Sequence, residues 1–255
     1  MRWLFSIAIF CVFHPLRAED TATVRLADAF QYPVGMDGKS YYKARGFIPN
    51  GHLGEDWNGS AGGDSDLGAP VTSTAYGLVV YARDFRLGWG NVIIIRHAYM
   101  EAGQVAYVDS LYGHLHEMFV REGQQVQRGQ KIGSIGNNRG MYNAHLHFEM
   151  RKNLRVGMAR SAFPRDFSTY FDPSDFIARR QQRMEGAGRL AAIPINTFVP
   201  YSGPADLDSA LTQNNVPGRS PLSPNPNARP SAISPLRPRD GYKVDPYEDM
   251  RNFGY

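Results

Sequence analysis

Six of the seven histidines lie beyond residue 18, and four of these six stand in two patterned pairs, GHLH (113–116) and AHLH (144–147). Along a strand, residues two apart share a face and the residue between them points the other way. His145 and His147 then face one side, about 7 Å apart at the backbone, while Leu146 and Phe148 face the core. One imidazole of such a pair can bind a metal while the other stands beside it as a supporting group or an acid and base. His52 and Asp56 are four apart within NGHLGEDWNGSAGG (50–63). Pro49, Gly51, Gly54 and Gly59 make a helix there improbable, and a straight strand would separate the two by about 13 Å. They can meet on one ion only if the backbone bends between them, for which Gly54 is the best suited residue.

Two histidines and a carboxylate with an open fourth position form the ligand set of a catalytic zinc centre, whereas a structural site is usually closed by a fourth protein ligand. Such a centre lowers the pKa of a water to about 7 and so makes a nucleophile at neutral pH. Cys11 is the only cysteine, and it lies in the segment read below as removable. With no thiolate in the mature chain, histidine and carboxylate remain as the strong ligands and disulfides cannot brace the fold.

The elements that must position these groups read as strands. GLVVYA (77–82), NVIIIRH (91–97), QVAYVDSLYGHL (104–115) and AHLHFEMR (144–151) are short apolar runs punctuated by Gly, Asn and Asp. REGQQVQRGQKIGSIGNN (121–138) reads as tight turns linking short barrel-like strands. FDPSDFIARRQQRM (171–184) opens with a capping Asp172 and Pro173 at the first helical position, which predicts a short C-terminal helix fraying near Gly186.

Residues 1–18 have a basic start at Arg2, an apolar run over 3–13 and a small residue at Ala18. That is the layout of a signal peptide, with a run well short of the roughly 20 apolar residues of a membrane span. The expected organisation is a signal peptide over 1–18, a β domain over 19–178 that carries the histidine pairs, helix end and linker over 179–199, and a tail over 200–255. The tail holds ten of the seventeen prolines and few large aliphatics, a composition that predicts disorder. Its ending, GYKVDPYEDMRNFGY, is a candidate contact for a protein partner. The formal charge of +4 falls to +2 without Arg2 and Arg17, which suits an anionic cell-wall surface and gives no case for nucleic acid.

His52-x3-Asp56, His114 in LYGHLHE and His145-Leu-His147 in AHLHFEMR, in this order, resemble the lysostaphin-like (LytM-type) zinc metallopeptidases. The similarity extends through GAPVTSTAYGLVVYARDF, GWGNVIIIRH and VREGQQVQRGQKIGSIGN. It implies an all-β fold, a compact antiparallel barrel-like domain with a metal-binding groove. It further implies one zinc per chain held by His52, Asp56 and His147, with His114 and His145 as the catalytic pair. The substrate it implies is peptidoglycan, cut at peptide cross-links or bridges by an exported periplasmic or extracellular enzyme without stable membrane insertion. Asn143-Ala144 stands where the family often has Gly-Pro or Ala-Pro, which bears on the adjacent loop. The alternative of another class is a non-catalytic peptidoglycan-binding or amidase-activating protein of the same fold. GQQVQRGQKIGSIG also resembles turns of lipoyl and biotinyl carriers, but no lysine lies between His52 and Lys131 to carry the group.

Other residues read more plainly. His97 is expected as a satisfied edge residue, His116 as groove wall or surface, and Glu55 as a solvated loop carboxylate. Glu149 continues the face of His145 and His147 and could orient one of them. Tyr112 is either a donor to the reaction intermediate or a buried ring, and Trp57, Trp89 and Tyr142 are either groove or core.

Overall fold

The structure, a computed structural model, describes residues 21–86 and 88–201. The expectations for 1–18 and for the tail beyond residue 201 fall outside the described residues. The fold is all-β and antiparallel. Its main sheet runs β2 (Tyr41–Arg45), β3 (Glu55–Gly59), β11 (Leu146–Arg151), β7 (Gln104–Leu115), β6 (Asn91–Glu101), β5 (Gly77–Asp84), β9 (Gln125–Val126), with β12 (Tyr170–Phe171) against β11. A small sheet, β4 (Pro70–Thr72), β10 (Lys131–Ser134) and β8 (Glu117–Met118), packs beside it. Among the described residues β2 and β9 do not pair, so the sheet is open and no barrel closes.

Strand β6 shows why the apolar runs form the centre. From Val92 to Met100 every residue is buried, so both faces of the strand are covered. Ile93, Ile95 and Tyr99 join the main core with Tyr112, Phe148, Phe30 and Phe176. On the opposite face, Val92 and Ile94 pack with Leu111, Trp89 and Met158, and Ala98 and Met100 pack with Val24 and Ile193. The same alternation divides β11: Leu146, Phe148 and Met150 enter the main core, which leaves His147, Glu149 and Arg151 on the second face.

That second face carries buried charge as well as apolar groups. Arg151 stands directly across from Asp109 on β7, and Asp109 directly across from Arg96 on β6. Arg96 clasps Asp109 with two bonds of 2.8 Å. It also donates to the carbonyls of Pro194 and Leu154 and to the Thr197 hydroxyl. The remaining guanidinium capacity is thus spent on the chain segments that cover this face. Burial raises the Asp109 carboxyl above its ordinary range even with Arg96 beside it.

Helix α1 (Pro173–Ala178) starts as the sequence predicts, with the Asp172 carboxylate accepting from the Asp175 amide at 3.0 Å. It ends at Ala178, short of Gly186. Where the sequence suggests helix end and linker over 179–199, residues Leu190–Pro194 form β13, paired antiparallel with β1 (Thr21–Arg25). The strand is held by the fully buried Ile193 and by the Arg96 bond to Pro194. Among the described residues no helix is long and apolar enough to cross a membrane.

Replacing Arg96 by Met strands a buried carboxylate. The expected cost is about 3–5 kcal/mol of unfolding free energy, measured by urea denaturation.

Candidate metal centre

The register of β3 against β11 sets Asp56 directly opposite His147. His52 arrives from the preceding loop, which turns back on itself through bonds from the Ile48 amide to the His52 carbonyl (2.6 Å) and from the Gly51 amide to the Ile48 carbonyl (3.0 Å). Gly54 is needed here for close approach and not for an unusual φ. A Cβ there would strike the Phe148 carbonyl and lie 2.8 Å from Glu149 Cγ, so a side chain would push the His52 loop off β11.

The three side chains meet in one triangle. His52 Nε2 lies 3.1 Å from Asp56 Oδ1 and 3.0 Å from His147 Nδ1, and His147 Nδ1 lies 2.9 Å from Asp56 Oδ1. Outer partners decide which nitrogens carry hydrogen. His52 Nδ1 donates to the Gly46 carbonyl at 2.9 Å, and His147 Nε2 donates to Glu149 Oε1 at 2.9 Å. With both rings neutral, the converging atoms are therefore two imidazole lone pairs and a carboxylate oxygen. Three electron-pair donors at this spacing repel unless a cation sits among them. Tetrahedral zinc with bonds of about 2.0–2.1 Å places its ligand atoms roughly 3.4 Å apart, so the triangle needs to open by only a few tenths of an ångström. Among the described residues these three are the group able to hold a metal ion.

The charges around the triangle also shift the protonation of its members. Burial lowers the His147 pKa, but the Asp56 and Glu149 carboxylates outweigh burial and hold it above the ordinary imidazole value. Burial raises the Asp56 carboxyl, yet His147 and His52 together bring it well below the usual range. His52 is lowered, first by burial and then by the charge on His147, against the pull of Asp56.

His145 and His114 stand beside the triangle with ring centroids 4.8 Å apart. His145 Nδ1 donates to the Asn143 carbonyl at 2.8 Å, and His145 Nε2 lies 3.9 Å from Asp56 Oδ1. His114 Nδ1 donates to the Trp89 carbonyl at 3.2 Å, and the His114 amide donates to the same oxygen at 3.0 Å. Both rings thus have Nδ1 anchored on a carbonyl, leaving Nε2 as the basic nitrogen. His114 has φ +61°, a left-handed conformation unfavourable for a residue with a side chain. Such strain persists where surrounding structure enforces it, typically at functional sites. Burial and the neighbouring His145 and His147 hold the His114 pKa well below its ordinary value. Gly136 pairs with His145, and a Cβ on it would press into the backbone of 114–116.

Trp89 stacks near-parallel to His114 and meets His147 edge-on, and Tyr142 lies 5.0 Å from His114. Trp57 instead packs on Tyr32 and donates to Glu55. Beyond His114 and Trp89 a cleft of about 350 Å³ runs between Leu67, Gly90, Leu115, His116 and the 137–139 turn. His116 is exposed and lines it.

Two plainer expectations, for Glu55 and His97, are corrected, and of the two readings of Tyr112 the buried ring holds. Glu55 is fully buried, bound by Lys43 Nζ at 2.8 Å, the Trp57 indole and the Ser174 amide, because β3 turns it inward toward the start of α1. His97 is a central core residue between the Tyr76 carbonyl and the Ser110 hydroxyl, with its pKa pushed down to about 4 by burial. Tyr112 is buried on the core side, its hydroxyl bound by the Thr74 amide and Ser110, so it does not reach the site. Arg151 was missed, although strand alternation already sets it in line with Glu149. Its Nε holds Glu149 Oε2 at 2.7 Å. Burial works against the Glu149 charge, but Arg151 and His147 more than offset it and keep the carboxylate ionised.

The sequence profile described as peptidase family M23 matches residues 51–157. A Yersinia enterocolitica protein described as lipoprotein NlpD is 42% identical over 86 residues, covering 33% of this chain and 78% of that one. The chain belongs to peptidase family M23. A murein hydrolase activator NlpD of Salmonella dublin is 37% identical over 136 residues, covering 52% of this chain and 31% of its own length. The Vibrio cholerae peptidoglycan DD-endopeptidase ShyA is 32% identical over 120 residues, covering 46% and 26%. The M23 domain described here therefore spans about a quarter to a third of these two longer relatives, both of them cell-wall proteins by description.

Glu149→Gln removes the charge that orients His147, and zinc affinity is expected to fall about 10–100-fold, as read by competition with a chelator. A metal cation held at this triangle would compete with a proton for His147 Nδ1, whose metal-free pKa is raised. Affinity measured the same way should therefore weaken progressively as pH falls from neutrality, with the loss beginning above the pH at which an ordinary histidine protonates.

Proposed function

We propose that this chain is an exported zinc metalloendopeptidase that hydrolyses peptide bonds in peptidoglycan cross-links or bridges. The observation that carries the reading is the convergence of three lone-pair donors, His52, Asp56 and His147, beside two histidines whose Nε2 atoms are left basic. Bound zinc supplies Lewis acidity, which polarises a carbonyl and makes water nucleophilic at neutral pH. His52, Asp56 and His147 hold the ion, and Glu149 fixes the ring of His147. His145, the nearer to Asp56, accepts the proton of the attacking water at Nε2 and delivers it to the departing amine as the C–N bond breaks. His114, whose Nδ1–H is committed to the Trp89 carbonyl and whose Nε2 keeps its lone pair, accepts a hydrogen bond from the attacking water and orients it toward the carbonyl carbon. Burial and the neighbouring His145 and His147 hold the His114 pKa well below its ordinary value, so its ring is neutral when substrate arrives.

A second reading has one observation in its favour, the 37% identity to a protein described as a murein hydrolase activator. In it the groove binds peptidoglycan or a partner hydrolase without chemistry, and the tail beyond residue 201 is the segment available to a partner. The presence of all five histidine and aspartate residues supports the enzyme.

Zinc content and release of new amino groups from purified peptidoglycan separate the two readings. One zinc per chain with hydrolysis by the wild type is expected. His114→Ala should keep the zinc and lose about 10²–10⁴-fold in rate. Zinc without hydrolysis in the wild type would favour the activator.

A further inference from the structure

The peptide group just before His145 is tied to a part of the chain that the metal triangle does not otherwise use. Asp64 Oδ1 accepts from the Ala144 amide at 2.6 Å, across 80 residues of sequence. The carbonyl of that same peptide group, belonging to Asn143, accepts from His145 Nδ1 at 2.8 Å. One planar amide therefore links the two side chains, with its N–H on the Asp64 carboxylate and its C=O on the His145 ring. Bonds at the two ends of one peptide polarise it in the same direction, and each strengthens the other.

The surroundings leave this peptide dependent on Asp64. The next one, between Ala144 and His145, is held by Asn58 Nδ2 on its carbonyl at 3.4 Å and by the Gly136 carbonyl on its amide at 3.1 Å. On the other side the chain arrives through a turn with positive φ at Asn138, Arg139 and Gly140, and residues 139–141 and 143 are exposed. Asp64 is itself anchored to β3, the strand that carries Asp56. Gly62 and Gly63, at φ +76° and +55°, reverse the chain after β3, and Asp66 Oδ2 accepts from the Gly59 amide at 2.8 Å. The Leu67 amide donates to the Asp64 carbonyl at 3.0 Å, and the Gly68 amide donates to the Ile135 carbonyl at 2.8 Å.

Ala144 is fully buried, so its N–H needs a protein acceptor. A proline at 144 would have no N–H to satisfy, and its ring would stand where the Asp64 carboxylate lies. An aspartate at 64 and a proline at 144 thus exclude one another.

We propose that Asp64 is a positioning residue for His145, acting through the peptide between Asn143 and Ala144, and that Asp64 and Ala144 together replace the proline that the family often has at this place. The inference rests on the reading of the site as a peptidase. Asp64 touches no reacting atom. It fixes the carbonyl that keeps hydrogen on His145 Nδ1 and so leaves the lone pair of Nε2 facing the metal triangle, 3.9 Å from Asp56 Oδ1.

The test uses the full chain supplied with zinc. Long-range 1H–15N spectra read the tautomer of His145 without any turnover. The unmutated protein should carry hydrogen on Nδ1 alone, Asp64→Asn, which keeps an acceptor, should retain most of that signal, and Asp64→Ala should divide it between the two nitrogens. Hydrogen on Nε2 in the unmutated protein, or an unchanged Nδ1 signal in Asp64→Ala, would overturn the proposal. Hydrolysis of soluble peptidoglycan fragments is followed in parallel. Asp64→Ala is expected to lower kcat about tenfold with little change in KM, the loss of roughly one hydrogen bond of positioning. Ala144→Pro alone should also lower kcat, because its ring strikes the carboxylate, and the double variant Asp64→Ala, Ala144→Pro should regain most of the rate. A loop residue with only a folding role gives no such rescue, so a double variant as slow as the slower single one counts against Asp64. If the unmutated protein cleaves nothing, the peptidase reading fails and the tautomer alone decides the positioning role. Cleavage that is indifferent to Asp64→Ala, with the tautomer unchanged, rejects Asp64 and leaves the peptidase standing.

Discussion

Two imidazole lone pairs and a carboxylate oxygen held about 3 Å apart cannot coexist in a buried site without positive charge among them. Much of the second face of the sheet can be understood as the means of enforcing that arrangement. The Gly46 carbonyl and Glu149 fix the tautomers from outside. Arg151 keeps Glu149 ionised so that it can do so. Because the three groups are already gathered and desolvated, little further ordering is needed for a cation to be received among them.

Buried charge on this scale is rarely a source of stability by itself, since desolvation offsets much of the Coulomb gain. Its value here lies in placement. From His147 through Glu149 and Arg151, then across to Asp109 and Arg96, charged side chains alternate in sign along a row set by the register of β11, β7 and β6. Any slip of one residue in that register would turn the row toward the apolar core. The network therefore specifies the alignment of the strands that carry Asp56 and His147, while the apolar face opposite supplies the burial that holds them together.

Much of this was legible in the sequence. Period-two alternation in 144–151 separates the core residues from the histidines and predicts that Glu149 lies in line with them, which the 2.9 Å bond to His147 realises. The capping Asp172 and Pro173 locate α1. Other features were hidden for physical reasons. Glu55 looks like a loop carboxylate because its partners, Lys43 and the start of α1, are 12 and 119 residues away. Strand β13 escaped notice because a single buried Ile193 and a pairing with distant β1 replace any strong apolar pattern. Gly54 reads as a hinge, but its necessity comes from the close passage of β11, which no local signal announces.

The pairing of β1 with β13 sets Thr21 directly opposite Pro194, and the chain then runs on over the second face, where Phe198 lies on Arg96, the Val199 amide donates to the Arg155 carbonyl and Tyr201 packs on Phe85. The first and last described strands thus hold one another as a single ribbon. Neither can peel away without baring the unpaired edge of the other, so local opening at this end of the fold takes both strands together.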